Sequence, residues 1–293
     1  MRCGFCFRTS GQALTTAASL SLLRIVRTGG IDTIVFAGGD PSLRRDLPEL
    51  ITHARDIGLQ AVVHTNGHAL SERMWEALPL CDHIGLSIDG PNAEVHDKMR
   101  GRPGNYRRLL GVLERCTVEG IAVSVRTMVS RGNMDEVHHM APVMEKYSCI
   151  QSWKLLEFTA VELGWDNRDN YQIPTNDFES VLHRTSESYA GRARLEALRT
   201  AEKVGGYMMI SPAGLIYGVT AQASVQQGRH EFIGSIDSLH LSKIAGEIYI
   251  DLANHQKHLH RPAARQQEII SQLNSHHVPD GREKQPALKG FRP

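Results

Sequence analysis

The feature that most restricts the fold is a recurring unit: a short apolar, β-branched run that ends in a glycine or polar turn and is followed by a stretch of helical periodicity. DTIVFAGGDP, LQAVVHTNG, HIGLSIDG, GIAVSVRTMVSRGN and SWKLLEF repeat it along the first half of the chain. The spacing predicts strands over residues 33–37, 60–64, 84–87, 122–129 and 152–158. Helices are predicted over 14–27, 47–57, 71–77, 106–119 and 135–147, the first stopped by Gly29-Gly30. Strands that alternate with helices need crossover connections, which give a parallel sheet. In such a sheet the polar residues just past each strand gather at the carboxyl edge, where ligands bind. Gly38-Gly39-Asp40, Thr65-Asn66, Ser87, Arg126 and Lys154 fall at or near that edge.

Composition narrows the setting. Of 293 residues, 41% are hydrophobic and 22% charged, enough for a substantial core. With 33 basic against 32 acidic side chains there is no electrostatic reason to expect a nucleic-acid or anionic-membrane partner. No apolar run reaches the roughly 20 residues that span a bilayer, and the N-terminus has no secretory pattern, so a cytoplasmic protein is expected. The 5 cysteines are odd in number and thinly spread, unlike a disulfide scaffold.

Cys3 and Cys6 open the chain as MRCGFCF. A CxxC pair alone admits a zinc half-site, a redox dithiol or part of an iron–sulfur ligand set. Zinc asks for a second, similarly spaced ligand pair, whereas Cys81, Cys116 and Cys149 are isolated and read as small core residues. A thioredoxin-like dithiol sits between a strand and a helix of a compact fold, and a long βα series follows here instead.

The order of elements, a cysteine loop and then strand-GGDP, strand-TNG, strand-SID and two further strands, resembles the radical S-adenosylmethionine (SAM) superfamily over residues 1–158. The resemblance implies a partial (β/α)6 barrel. It also implies a [4Fe–4S] cluster ligated by the cysteines of CxxxCxxC, SAM bound to the open iron, and reductive cleavage of SAM to start hydrogen abstraction from a small-molecule substrate. An electron donor such as a flavodoxin or ferredoxin follows from that chemistry.

On the resemblance, Cys3 and Cys6 are the second and third cluster cysteines, with Phe5 at the aromatic position between them. The first cysteine and first strand of the family would stand ahead of Met1, so a truncated motif is expected, and with it a second reading: a non-catalytic member without a complete cluster site. Gly38, Gly39 and Asp40 match the turn that holds the SAM ammonium, with Asp for the commoner Glu. Asn66, Ser87 and Arg126 match positions that contact other polar groups of SAM.

SWKLLEF and CGFCF are similar to the viperin-like branch, in which basic residues on late strands hold a nucleoside triphosphate. Lys154 matches one of them, while Ser152 and Ser124 stand where two other cations are expected. IDGPNAEVHDKMRG resembles the turn and helix of radical SAM enzymes that modify peptides or small metabolites. The absence of cysteine after Cys149 argues against auxiliary clusters.

Beyond residue 158 the pattern changes. Residues 159–255 are expected to form an extension or cap, with a helix in the NRDNYQIPTNDFESVLHR segment, a hairpin at GGYMMISPAGLIYGVT and a short helix at GSIDSLHLSKI. Residues 256–293 are a polar tail. Its histidines, with His255, are read as solvated rather than as a metal site.

Overall fold

The computed structural model describes residues 3–6, 12–203, 208–218 and 228–236. The tail and its histidines lie outside them.

Helix α1 (Thr16–Thr28) starts where the Thr15 hydroxyl accepts the Ala18 N–H and stops at Gly29. Then follow β1 (Thr33–Phe36), α2 (Leu47–Asp56), β2 (Gln60–Thr65), α3 (Glu72–Ala77), β3 (His83–Ser87), α4 (Ala93–Arg100), α5 (Asn105–Glu119), β4 (Val123–Val129), α6 (Ala141–Lys146) and β5 (Ile150–Glu157). The helix expected at 135–147 is divided into a 3-10 turn, Val137–Met140, and α6, because Pro142 has no N–H to continue a ladder and sits in the first turn of α6.

All strands of the main sheet run parallel, in the sequential order β1-β2-β3-β4-β5-β6. That sequential order, with the right-handed crossovers parallel strands use, is the winding of a barrel wall, and helices α1, α2, α3, α5 and α6 share one core with the strands. The outer face carries the core: Ala61 and Val63 of β2, Ile84 and Leu86 of β3, Val123 and Val125 of β4, and Trp153 and Leu155 of β5 pack with Leu50 and Ile51 of α2 and with Leu109 and Leu113 of α5. The alternate residues, His64, Gly85, Ser87, Ser124, Arg126, Ser152 and Lys154, therefore face the inner side.

The sheet does not end at 152–158. A sixth strand, β6 (Arg194–Leu198), pairs parallel with β5 through Lys154↔Glu196 and Leu155↔Ala197. Between them lie α7 (Leu163–Asp166), α8 (Arg168–Tyr171) and α9 (Thr175–Ser188). After α10 (Thr200–Lys203), the expected hairpin is present as β7 (Met208–Ile210) and β8 (Leu215–Gly218), and β9 (Glu231–Ser235) adds antiparallel to β8. Gly234 and Ser235, read from sequence as a helix start, thus close a strand; the remainder of that segment lies outside the described residues. Among the described residues no helix is long and apolar enough to cross a membrane.

Candidate active site

The site residues expected from sequence fall into three groups that the fold brings toward one edge. The cysteine turn is the first. Cys6 N–H donates to Cys3 C=O at 3.1 Å, and both thiols are free. Gly4 is required between them, since a Cβ there would lie 2.5 Å from Tyr171 Oη. Asn167 Nδ2 holds the Gly4 carbonyl at 3.1 Å, and Phe5 packs edge-on against Tyr171 at 5.5 Å. Cys3 is buried with Phe5, Met99, Phe158 and Ala160, and burial pushes its thiol pKa up. Cys116 and Cys149 lie in the main core, as expected of small apolar residues.

The second group is the turn after β1. Gly38 has φ +107°, a conformation that favours glycine, and the space a Cβ would take is open. Asp40 caps the 3-10 turn Pro41–Leu43 through Ser42 N–H at 3.0 Å and takes the Ser42 hydroxyl at 2.6 Å. It also accepts Thr65 Oγ1 at 2.9 Å and Asn66 N–H at 3.3 Å. The carboxylate therefore staples the end of β1 to the end of β2, an employment the sequence reading did not foresee. Asn66 Oδ1 accepts the His68 N–H at 2.9 Å and shapes the next turn.

The third group is a row across the inner face. Register partners run Ser87↔Arg126, Arg126↔Lys154 and Lys154↔Glu196. Lys154 Nζ lies 3.0 Å from Glu196 Oε2, both nearly buried, and Arg194 also pairs with Glu196. Burial lowers the Lys154 pKa, Glu196 opposes that and Arg126 adds to it. His64 of β2 is in register with Gly85, in the inward-facing row next to this one. Burial brings its pKa well below the normal imidazole range, and Arg126, His83 and Lys154 reinforce this, so it is neutral at pH 7. Gly85 makes room, since a Cβ there would collide with the His64 ring and stand 3.2 Å from Arg126 Cδ.

Past β5, Lys203 donates to Glu157 C=O and to Thr159 Oγ1 at 2.7 Å. Burial brings its pKa down to about 7. The Glu157 carboxylate is held by Thr175 Oγ1 at 2.8 Å and Thr200 N–H at 2.6 Å.

A buried polar chain joins the cysteine turn to the Asn66 turn. Arg100 Nη1 lies 4.0 Å from Cys3 Sγ, and Arg100 Nε pairs with Asp89 Oδ2 at 2.5 Å. Asp89 N–H donates to His96 Nδ1 at 3.1 Å, and His96 Nε2 meets Asn105 Oδ1 at 2.9 Å. Asn105 Nδ2 then reaches the Asn66 carbonyl at 3.2 Å. Burial lowers the His96 pKa, and the neutral ring protonated on Nε2 suits both of its partners. These residues, with His64, Glu196 and Lys203, were missed as site residues. The signal for three of them, Asp89, His96 and Arg100, was present in IDGPNAEVHDKMRG.

A family profile described as the Radical SAM superfamily matches residues 1–141. Residues 1–141 belong to the radical SAM superfamily. The chain is 33% identical over 135 residues to the Fe-coproporphyrin III synthase of Methanosarcina barkeri, covering 45% of this chain and 34% of that protein. It is 26% identical to the S-adenosylmethionine-dependent nucleotide dehydratase of Lacinutrix mariniflava, covering 74% of this chain and 48% of that one. The chain thus spans less than half the length of these two curated relatives. The fold of the chain matches the crystal structure of Streptococcus suis SuiB bound to precursor peptide SuiA, with a TM-score of 0.65 at 13% identity, over 89% of this chain and 64% of that one.

The radical SAM family implies SAM and an iron–sulfur cluster. The two free thiols on one turn fit a thiolate-ligated cluster in kind, and the described residues hold two of the three thiolates the motif uses. Among the described residues no group of three or more His, Cys, Asp or Glu side chains converges on a metal position.

Proposed function

We propose that this chain is a radical SAM enzyme that cleaves SAM reductively and starts hydrogen abstraction from a small-molecule substrate. Cys3 and Cys6 would ligate a [4Fe–4S] cluster, and Gly38, Gly39, Asp40, Asn66, Ser87 and Arg126 would line the SAM position. When bound, the cluster supplies the electron that cleaves SAM, itself drawn from a donor such as a flavodoxin or ferredoxin. Five free thiols suit the reducing cytoplasm in which such donors work.

The observation that carries this reading is the buried chain from Cys3 through Arg100, Asp89, His96 and Asn105 to Asn66, which ties the cysteine turn to the carboxyl edge of the sheet. The open glycine turn lets a ligand approach the backbone closely, and Asp40 holds that turn against β2. An ammonium reaching Asp40 would share a carboxylate already oriented by Thr65 and Ser42, which fixes its direction. Arg126 offers a planar fork suited to a carboxylate. Lys154 and Glu196 would form the far wall, a polar surface for the substrate.

The test is anaerobic reconstitution of the full chain with iron and sulfide, followed by reduction with SAM. Expected are thiolate-bound iron and production of 5'-deoxyadenosine, both lost in Cys3→Ala and Cys6→Ala. A reconstituted chain that holds no iron, or holds iron and leaves SAM intact, overturns the proposal.

A further inference from the structure

IDGPNAEVHDKMRG contributes to the site through Arg100, and the residue's surroundings point to a purpose beyond packing. The Arg100 side chain is 12% exposed and its partner Asp89 is fully buried. Asp89 Oδ1 is occupied by the Met128 N–H at 2.8 Å, which leaves Oδ2 to fix the guanidinium through Nε. The guanidinium then lies 5.2 Å over the Phe5 ring, with Nη1 toward Cys3 Sγ. The free thiol of Cys3 also faces the Arg100 carbonyl, at 3.7 Å. A thiolate has no proton to give that carbonyl, so once the sulfur is ligated the guanidinium N–H is the polar partner that remains.

Stability alone does not account for the arrangement. Burying an ion pair costs desolvation that an apolar side chain of similar size avoids. Outer partners that orient a metal ligand also tune the metal, and hydrogen bonds to sulfur are among the levers on cluster potential. Adding an electron to a cluster increases negative charge on its sulfurs, so a cationic donor beside one of them stabilises the reduced form more than the oxidised form.

Resting on the reading of Cys3 as a cluster ligand, we infer that Arg100 is a positioning residue which, pinned by Asp89, orients the Cys3 sulfur and raises the potential at which the bound cluster accepts its electron.

The test is a redox titration of the reconstituted full chain followed by electron paramagnetic resonance, with iron content and circular dichroism measured on each protein. The variants are Arg100→Lys, Arg100→Met and the double variant Asp89→Asn/Arg100→Met, the last removing the charge without stranding a buried carboxylate. Expected is a midpoint near that of the unmodified chain for Arg100→Lys and a more negative one for both uncharged variants. Cluster retained by Arg100→Lys but lost from both uncharged variants at native circular dichroism supports the inference equally. One potential shared by all proteins, or loss of the cluster from all three variants alike, overturns it while leaving the cluster reading intact. Absence of iron from the unmodified chain overturns both.

Discussion

The two faces of the parallel sheet have opposite chemistry within single strands, and consecutive residues on β5 show it. Trp153 points to the outer face, fully buried, with Nε1 donating to Thr127 Oγ1 at 3.0 Å and its ring edge-on to Tyr189 at 5.4 Å. Lys154 points inward to Glu196. The outer face is where burial stabilises the fold, and the inner face is where desolvation is spent on holding charges apart from water. Trp153→Ala should break the first of these most severely, leaving a cavity and an unpaired Thr127 acceptor. A loss of about 3–5 kcal/mol is expected, read by urea unfolding. A loss below about 1 kcal/mol would mean that this face is not the main source of stability.

The next effect comes from the polar side, past the end of β6. Lys203 has a folded pKa of about 7 against an ordinary value of 10.5. Below pH 7 both the folded and unfolded chains carry the charge, and the folded chain bears its desolvation cost. Between about pH 7 and 10.5 the unfolded chain binds more protons, so stability from this group rises with pH, on the order of 5 kcal/mol over the window. The unfolding free energy of the unmodified chain minus that of Lys203→Met, measured across pH 6 to 10.5, should rise through that window. A flat difference would show that Lys203 is charged and compensated, and that the polar side is less desolvated than the geometry implies.

Lys154→Met sharpens the comparison with its neighbour. Glu196 keeps Arg194, so the expected cost is about 1–2 kcal/mol, well below that of Trp153→Ala. Lys154→Met/Glu196→Leu should recover most of it, because well-packed apolar replacements of a buried pair are often neutral. Substrate-dependent turnover, on the proposed function, should fall at least tenfold in both. Unfolding midpoints and turnover measured on the same preparations separate the two outcomes, and a double variant less stable than Lys154→Met would contradict this account of the inner face.

The difference between the faces also explains what could be read from sequence. The outer face writes itself as apolar runs such as Val123, Val125 and Val129, so the strands and their order were legible through β5. The strand β6 was not, because RLEAL consists of residues that favour helices and its strand character comes from pairing with β5. Site residues at strand ends were legible by position, yet their partners were not. Cys3 and Arg100 are 97 residues apart, and no local pattern announces that one will be set against the other. Asp40 shows the complement: its place in the turn was legible, but its hydrogen bonds to Thr65 and Asn66 depend on how closely β2 approaches β1.

The smallest effect expected belongs to a residue on neither face. Asn92 Oδ1 accepts the Val95 N–H at 3.0 Å and caps α4, the helix that carries His96 and Arg100 and ends at Gly101 in the left-handed conformation. Asn92→Ala removes one capping bond at the surface, for about 1 kcal/mol. His96 and Arg100 are held from the other side by Asp89 and Asn105, so the far end of the helix should stay in place. Hydrogen exchange should therefore quicken at the amides of Val95 and His96 and remain unchanged at Gly101 and Arg102, whose N–H groups bond Lys98 and Asp97 carbonyls at 3.3 and 3.0 Å. Faster exchange at both ends would mean that the cap, and not the buried polar chain, holds Arg100 against the cysteine turn.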